Sequence, residues 1–133
     1  MFEVKVKTQF CAAHYLKNYK GKCEELHGHN WMVEAIVTAK KLDNKGMVID
    51  FKELKKLLSD VVTSLDHKFL NELPQFSKSN TTSEIIAKYI FVELKKKLVR
   101  FLGVKKAKIV KLSSISVWEQ DNSCATYQET QKQ

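Results

Sequence analysis

Apolar and polar residues alternate at the start of the chain, where Phe2, Val4, Val6, Thr8 and Phe10 occupy every second position. A period of two belongs to a strand with one buried face, so residues 2–10 are predicted to be extended. After the polar loop KNYKGK, the run HNWMVEAIVTAK (29–40) predicts a second, longer strand. LDNKG then reads as a turn, and GMVID as a return to extended structure. At this point the period changes. Phe51, Leu54, Leu57, Leu58, Val61, Val62 and Leu65 fall on one helical face, with Asp50 and Glu53 as a capping-box-like start. A second helix is predicted from about Ser83 to Leu102, with Ile85, Ile86, Tyr89, Ile90, Leu94, Leu98 and Phe101 facing inward. Thr81 and Glu84 offer its capping box, and Gly103 its stop. Residues 107–119 return to an extended pattern, and CATYQE supplies a short last strand.

The order β-β-α-α-β-β predicts an α+β fold, an antiparallel four-stranded sheet with two helices on one face. Such a sheet exposes two long edges, which predicts an oligomer that covers them. The chain has 133 residues and carries no repeat or linker, which fits one domain over 1–133. Hydrophobic residues make up 44% and charged residues 29%, which excludes a disordered chain. No apolar run reaches the roughly 18–20 residues of a membrane span, and the N-terminus lacks a signal-peptide core. A soluble cytoplasmic protein with no membrane partner is expected. The cysteines Cys11, Cys23 and Cys124 are odd in number and form no CxxC pair, so they are expected as reduced thiols. A net charge of +8 raises nucleic acid as a partner, but Arg100 is the only arginine and no nucleic-acid motif is present. The excess lysine fits a small polyanionic substrate or a solvated surface, and no nucleic-acid partner is expected.

The chemistry concentrates in CEELHGHNW (23–31). On a strand, His27 and His29 project from the same face, and Gly28 leaves room between them. Two imidazoles so placed suit one zinc, with His14 available as a third ligand across the hairpin. Three histidines with a vacant position describe a catalytic rather than a structural zinc. The other reading of His-x-His is a pair of solvated imidazoles. Cys23 is either a further ligand, which would close the site, or a base or nucleophile beside an open one. His67 follows Asp66 in LDHKFLN, where the carboxylate can set the imidazole's tautomer. Glu119 ends the third strand in SVWEQ and is uninformative alone.

In order along the chain, FCAAH (10–14), CEELHGHNW (23–31), GMVIDFKELK (46–55), LDHKFLN (65–71), TTSEIIAKYI (81–90) and SVWEQ (116–120) resemble one family. This is the 6-pyruvoyl-tetrahydropterin synthase superfamily, and within it the bacterial 6-carboxy-tetrahydropterin synthases of the queuosine pathway. The resemblance implies a tunnelling fold (T-fold) whose trimers close a barrel and stack in pairs, giving a homohexamer with active sites between subunits. It implies that His14, His27 and His29 bind Zn2+, that Cys23 is the catalytic base, and that His67, positioned by Asp66, relays a proton. Glu119 would anchor the pterin ring, helped by the backbone around Thr82 and Ser83. The implied substrate is 7,8-dihydroneopterin triphosphate, with zinc as the Lewis acid. Carboxy synthases release acetaldehyde and triphosphate, whereas pyruvoyl synthases eliminate triphosphate and keep the side chain.

Two departures bear on the product. Gln120 stands where the family usually has threonine. Glu24 completes an E-x-x-H-G-H motif overlapping the cysteine motif, and that glutamate is associated with a retro-aldol-like branch making 6-hydroxymethyl-dihydropterin for folate synthesis. The product is therefore open among carboxy, pyruvoyl and hydroxymethyl pterins. A non-catalytic zinc- or pterin-binding module is the reading from outside enzymology.

Overall fold

A computed structural model describes residues 1–20 and 24–129. β1 (Phe2–His14) and β2 (His27–Ala39) pair antiparallel in unbroken register, from Phe2 opposite Ala39 to His14 opposite His27. Alternation fixes which face is buried: Val6, Phe10, Ala12 and His14 point inward from β1, and Trp31, Val33, Ala35, Val37 and Ala39 from β2. Both strands extend beyond the apolar pattern, β1 past residue 10 and β2 back to residue 27, and these extra residues carry His14 and His27.

The helices are α1 (Phe51–Thr63) and α2 (Ser83–Ala107). Between them lies a two-residue strand, β3 (Lys68–Phe69), and after them β4 (Lys111–Gln120) and β5 (Ser123–Tyr127). The sheet order is β3-β1-β2-β4-β5, so among the described residues the α+β fold has five strands rather than four. β3 runs parallel to β1 at Ala12 and Ala13, and two residues are too few to show a period in sequence.

GMVID is not a strand. The Asp43 carboxylate accepts hydrogen bonds from the Lys45 and Met47 N–H groups at 2.9 Å each, curling the segment into a turn that tucks Val48 and Ile49 into the core. The Met47 N–H bond, the larger influence, holds the Asp43 carboxyl below the ordinary carboxylate range. Residues 107–110 likewise complete the end of α2 and its turn before β4 begins at Lys111. Asp50 caps α1 by accepting from Lys52 N–H at 2.8 Å. Thr82, not Thr81, caps α2 by accepting from Ile85 N–H. Gly103, at φ 82°, breaks α2 immediately after Leu102, where the left-handed backbone favours glycine.

Both helices cover the same face of the sheet. Leu54 and Leu58 of α1, and Ile90, Leu94 and Leu98 of α2, join Val33, Val37, Ile115 and Val117 in one core. Phe51 and Phe101, expected inward, lie at helix ends, Phe51 as the first residue of α1 and Phe101 two residues before the Gly103 break, and are exposed. Leu94 is fully buried between helix and sheet. Leu94→Ala is therefore expected to cost about 2–5 kcal/mol through lost transfer energy and the cavity left behind, measured by urea unfolding.

One end of this framework gathers the chemistry. The end of β1, the start of β2, the end of β4, the start of α2 and the segment before β3 all meet there.

Candidate metal centre

His14 faces His27 across the β1–β2 ladder, and His29 lies two residues further on the same face. The N–N distance between His14 Nε2 and His27 Nε2 is 3.0 Å. His29 Nε2 lies 2.8 Å from Glu119 Oε1, and His14 Nε2 lies 4.0 Å from the same oxygen. One donor atom from each of His14, His27, His29 and Glu119 falls within 4.8 Å of the others. Trp31 supports the cluster from beneath, edge-on to His14 and His29, while its indole N–H donates to the Ala12 carbonyl at 3.2 Å.

The hydrogen-bond partners decide what this cluster can hold. His14 Nδ1 is 2.8 Å from the Thr81 carbonyl, and His27 Nδ1 is 2.9 Å from the Glu25 carbonyl. A carbonyl oxygen only accepts, so both Nδ1 atoms carry hydrogen, and the neutral rings turn their Nε2 lone pairs inward. Two lone pairs facing each other at 3.0 Å repel unless a cation lies against both. His29 Nε2 is buried and, despite its short distance to Glu119, has no aligned hydrogen bond. Burial, the largest influence, lowers the His14 pKa from its ordinary value and favours the neutral ring. Tetrahedral zinc with bonds of about 2.0–2.1 Å sets its ligand nitrogens roughly 3.3–3.4 Å apart. The donor set therefore fits a divalent metal.

Gly28 does not make room between the imidazoles. A Cβ at residue 28 would meet only the Ala12 carbonyl, at 3.8 Å, on the opposite face of the strand. Alternation alone brings the two rings together.

The other candidates are distributed around this centre. Glu24 Oε2 lies 3.9 Å from His27 Nδ1, which puts its carboxylate behind a metal-facing ring. Cys23 lies outside the described residues. Glu119 and Ser83 line a cleft of about 580 Å³ with Glu84, Gln120, Ser123 and Thr126. Thr82 is taken up in capping α2.

His67 is not part of the histidine cluster. Its side chain is 80% exposed, and its Nδ1 pairs with Asp66 at 3.0 Å. It lines a second cleft with Cys11, Gly28, His29 and Asn30. Its φ of 58° is unusual for a residue with a Cβ and is held by its N–H donating to the Cys11 carbonyl at 2.6 Å. Asp66 completes the bracket by accepting from Cys11 N–H at 2.9 Å, which, as the first cause, holds the Asp66 carboxyl low.

Three participants were missed in sequence. Thr81 is buried and orients His14 through its carbonyl, while Asn71 and Asn80 bind the backbone that follows β1. Backbone-directed roles leave no spacing pattern, although the Thr81–Thr82 pair before a helix is a usable hint.

The fold and site together define an α+β protein whose histidine cluster has the donors to hold a metal ion, with clefts on either side of it. The chain belongs to the 6-pyruvoyl tetrahydropterin synthase family, whose family model matches residues 3–130. It is 34% identical to the 6-carboxy-5,6,7,8-tetrahydropterin synthase of Synechocystis over 132 residues, covering 96% of this chain and 93% of that one. It is also 37% identical to the dihydroneopterin monophosphate aldolase of Pyrococcus furiosus over 113 residues, 85% of each chain. The fold matches the crystal structure of 6-pyruvoyl tetrahydropterin synthase from Plasmodium vivax with a TM-score of 0.80 at 24% identity, over 96% of this chain and 97% of that one. The family is one of lyase-type pterin enzymes.

Proposed function

We propose that this chain is a cytoplasmic, zinc-dependent enzyme that converts 7,8-dihydroneopterin triphosphate to 6-carboxy-5,6,7,8-tetrahydropterin, releasing acetaldehyde and triphosphate, as a step toward queuosine. The observation that carries this reading is the convergence of His14, His27 and His29, two of them with Nδ1 tied to carbonyl oxygens. When bound, zinc would supply Lewis-acid polarisation of the substrate's side chain. The relative from Synechocystis supports the carboxy product.

The chain's own groups divide the remaining work. Glu119 and Ser83 border the cleft where a pterin ring would sit, and the Glu119 carboxylate can accept hydrogen bonds from its amino and ring N–H groups. Cys23 acts as base, and His67 with Asp66 relays a proton. His67 faces away from its own cluster, so that relay serves a site on a neighbouring subunit. The sheet edges favour such an assembly: β3 covers only Ala12 and Ala13 of β1's outer edge, and β5 ends the sheet on the other side. The homohexamer, a pair of stacked trimers, is what the resemblance to the family implies, and the open edges are compatible with it.

Glu119 has a second possible role as the fourth metal ligand, and one substitution separates the two. Glu119→Gln is expected to retain zinc and raise KM for the pterin by about 10-fold or more, the cost of losing a charge-assisted pair. Loss of zinc from that variant would make Glu119 a ligand and close the open position.

A second reading is an aldolase yielding 6-hydroxymethyl-dihydropterin, supported by the Pyrococcus relative and by Glu24 lying beside His27. Product analysis by mass spectrometry, with dihydroneopterin triphosphate and monophosphate as separate substrates, decides between them. Acetaldehyde with triphosphate supports the carboxy synthase. Triphosphate without acetaldehyde indicates the pyruvoyl reaction, and a hydroxymethyl pterin indicates the aldolase. No turnover of either substrate leaves a binding module.

A further inference from the structure

The segment Asp66–Asn71 runs alongside β1 as an incomplete strand. Asp66 and His67 bind Cys11, Lys68 and Phe69 pair with Ala12 and Ala13, and Asn71 then binds Tyr15 beyond the end of β1. The Asn71 carboxamide makes two bonds to one residue. Its Oδ1 accepts from Tyr15 N–H at 3.0 Å, and its Nδ2 donates to the Tyr15 carbonyl at 2.9 Å. Asn80 repeats the arrangement two residues on, accepting from Lys17 N–H at 2.6 Å and donating to the Lys17 carbonyl at 3.1 Å. Each side chain thus presents the donor and acceptor that a neighbouring strand's backbone would present. Together they continue the ladder past the point where the chain can supply one.

What they hold matters for the chemistry. Leu16, between the two clamped residues, accepts the Glu24 N–H through its carbonyl at 3.0 Å. Residues 15–17 are therefore bound on one edge by the two carboxamides and on the other by the residue that follows Cys23. The Glu24 carboxylate reaches to within 3.9 Å of His27 Nδ1. The two clamps also differ. Asn71 Oδ1 is 3.3 Å from the hydroxyl of Thr81, whose carbonyl fixes His14. The Asn80 side chain makes no hydrogen bond to a histidine or to Thr81, its neighbour in sequence, among the described residues.

We propose that Asn71 and Asn80 are positioning residues with separate targets: Asn80 sets the segment in which Glu24 directly follows the proposed base Cys23, and Asn71 sets both that segment and the metal-facing ring of His14. The catalytic part of this inference rests on the proposed pterin chemistry. The structural part does not.

The test compares Asn80→Ala and Asn71→Ala with the unaltered protein in three measurements. These are zinc affinity by chelator competition, hydrogen exchange across residues 15–26 and α1, and kcat and KM separately. Asn80→Ala is expected to speed exchange at the Glu24 amide about 10-fold or more, leave α1 unchanged, hold zinc within about 3-fold, and lower kcat roughly 10–100-fold. Asn71→Ala is expected to show the same loop effect and also to weaken zinc roughly 10–100-fold, as outer-shell changes do. Equal effects of both variants on zinc, or unchanged exchange at Glu24, would overturn the proposal. If Asn71→Ala fails to fold, Asn71→Asp takes its place, keeping the Oδ1 contact to Thr81 but turning a charged oxygen toward the Tyr15 carbonyl. It is expected to speed exchange at Glu24 with zinc held within about 3-fold, and unchanged exchange there would overturn the proposal. If the unaltered protein turns over no pterin, the functional reading fails while zinc affinity and exchange still decide the positioning.

Discussion

Replacing His27 with alanine is expected to strip the protein of zinc and with it all measurable pterin turnover, while the sheet remains folded. The loss should exceed the roughly 10–100-fold that changes outside the first ligand shell cost, because a direct bond disappears. His27 is suited to separating metal from fold. Its ring is partly exposed, whereas His14 is buried against Trp31 and Thr81 and would leave a polar hole if truncated. Removing His27 also removes the 3.0 Å Nε2–Nε2 contact, which is unfavourable in the metal-free protein whenever both rings are neutral. The variant should therefore unfold in urea no earlier than the metal-free parent, and elemental analysis should find less than one zinc per chain. Stoichiometric zinc in His27→Ala would mean that the metal is held elsewhere.

The histidine cluster was legible because strand geometry is simple. A period of two aligns His27 with His29, and a hairpin returns the end of β1 to the start of β2, so His14 meets them without any tertiary detail. The same alternation made Gly28 look like a spacer, when its missing side chain belongs to the other face. The helices were legible from their apolar stripes, except that Phe51 and Phe101, on the right face, sit at helix ends and remain exposed. GMVID misled because Asp43, not the apolar run after it, sets the local backbone. Glu119 was named only through the resemblance: no spacing links SVWEQ to H-G-H, and the β2–β4 register, with Met32 opposite Trp118, is what brings it beside His29. Asp66 and His67 were visible as a pair, yet their direction, away from their own chain's histidines, depends on β3.

Cys23→Ala and Glu24→Gln should have opposite weights in the two candidate reactions, which makes the pair the sharpest test of what the enzyme makes. A positioned base contributes about 10²–10⁴-fold to a rate. If the chain is a carboxy synthase with Cys23 as base, Cys23→Ala loses kcat on that scale and keeps its zinc. Glu24→Gln then loses less than about 10-fold, since the neutral amide preserves the shape beside His27 and changes only the field on the ring. If the chain is an aldolase, Glu24→Gln takes the large loss and Cys23→Ala the small one. The geometry gives the glutamate a real claim, because its carboxylate is 3.9 Å from the His27 ring and its N–H is anchored on Leu16. Measuring kcat, zinc content and product for both variants therefore reads the base and the reaction from one experiment. Comparable large losses in both would assign the two residues to a single proton path, with neither acting alone.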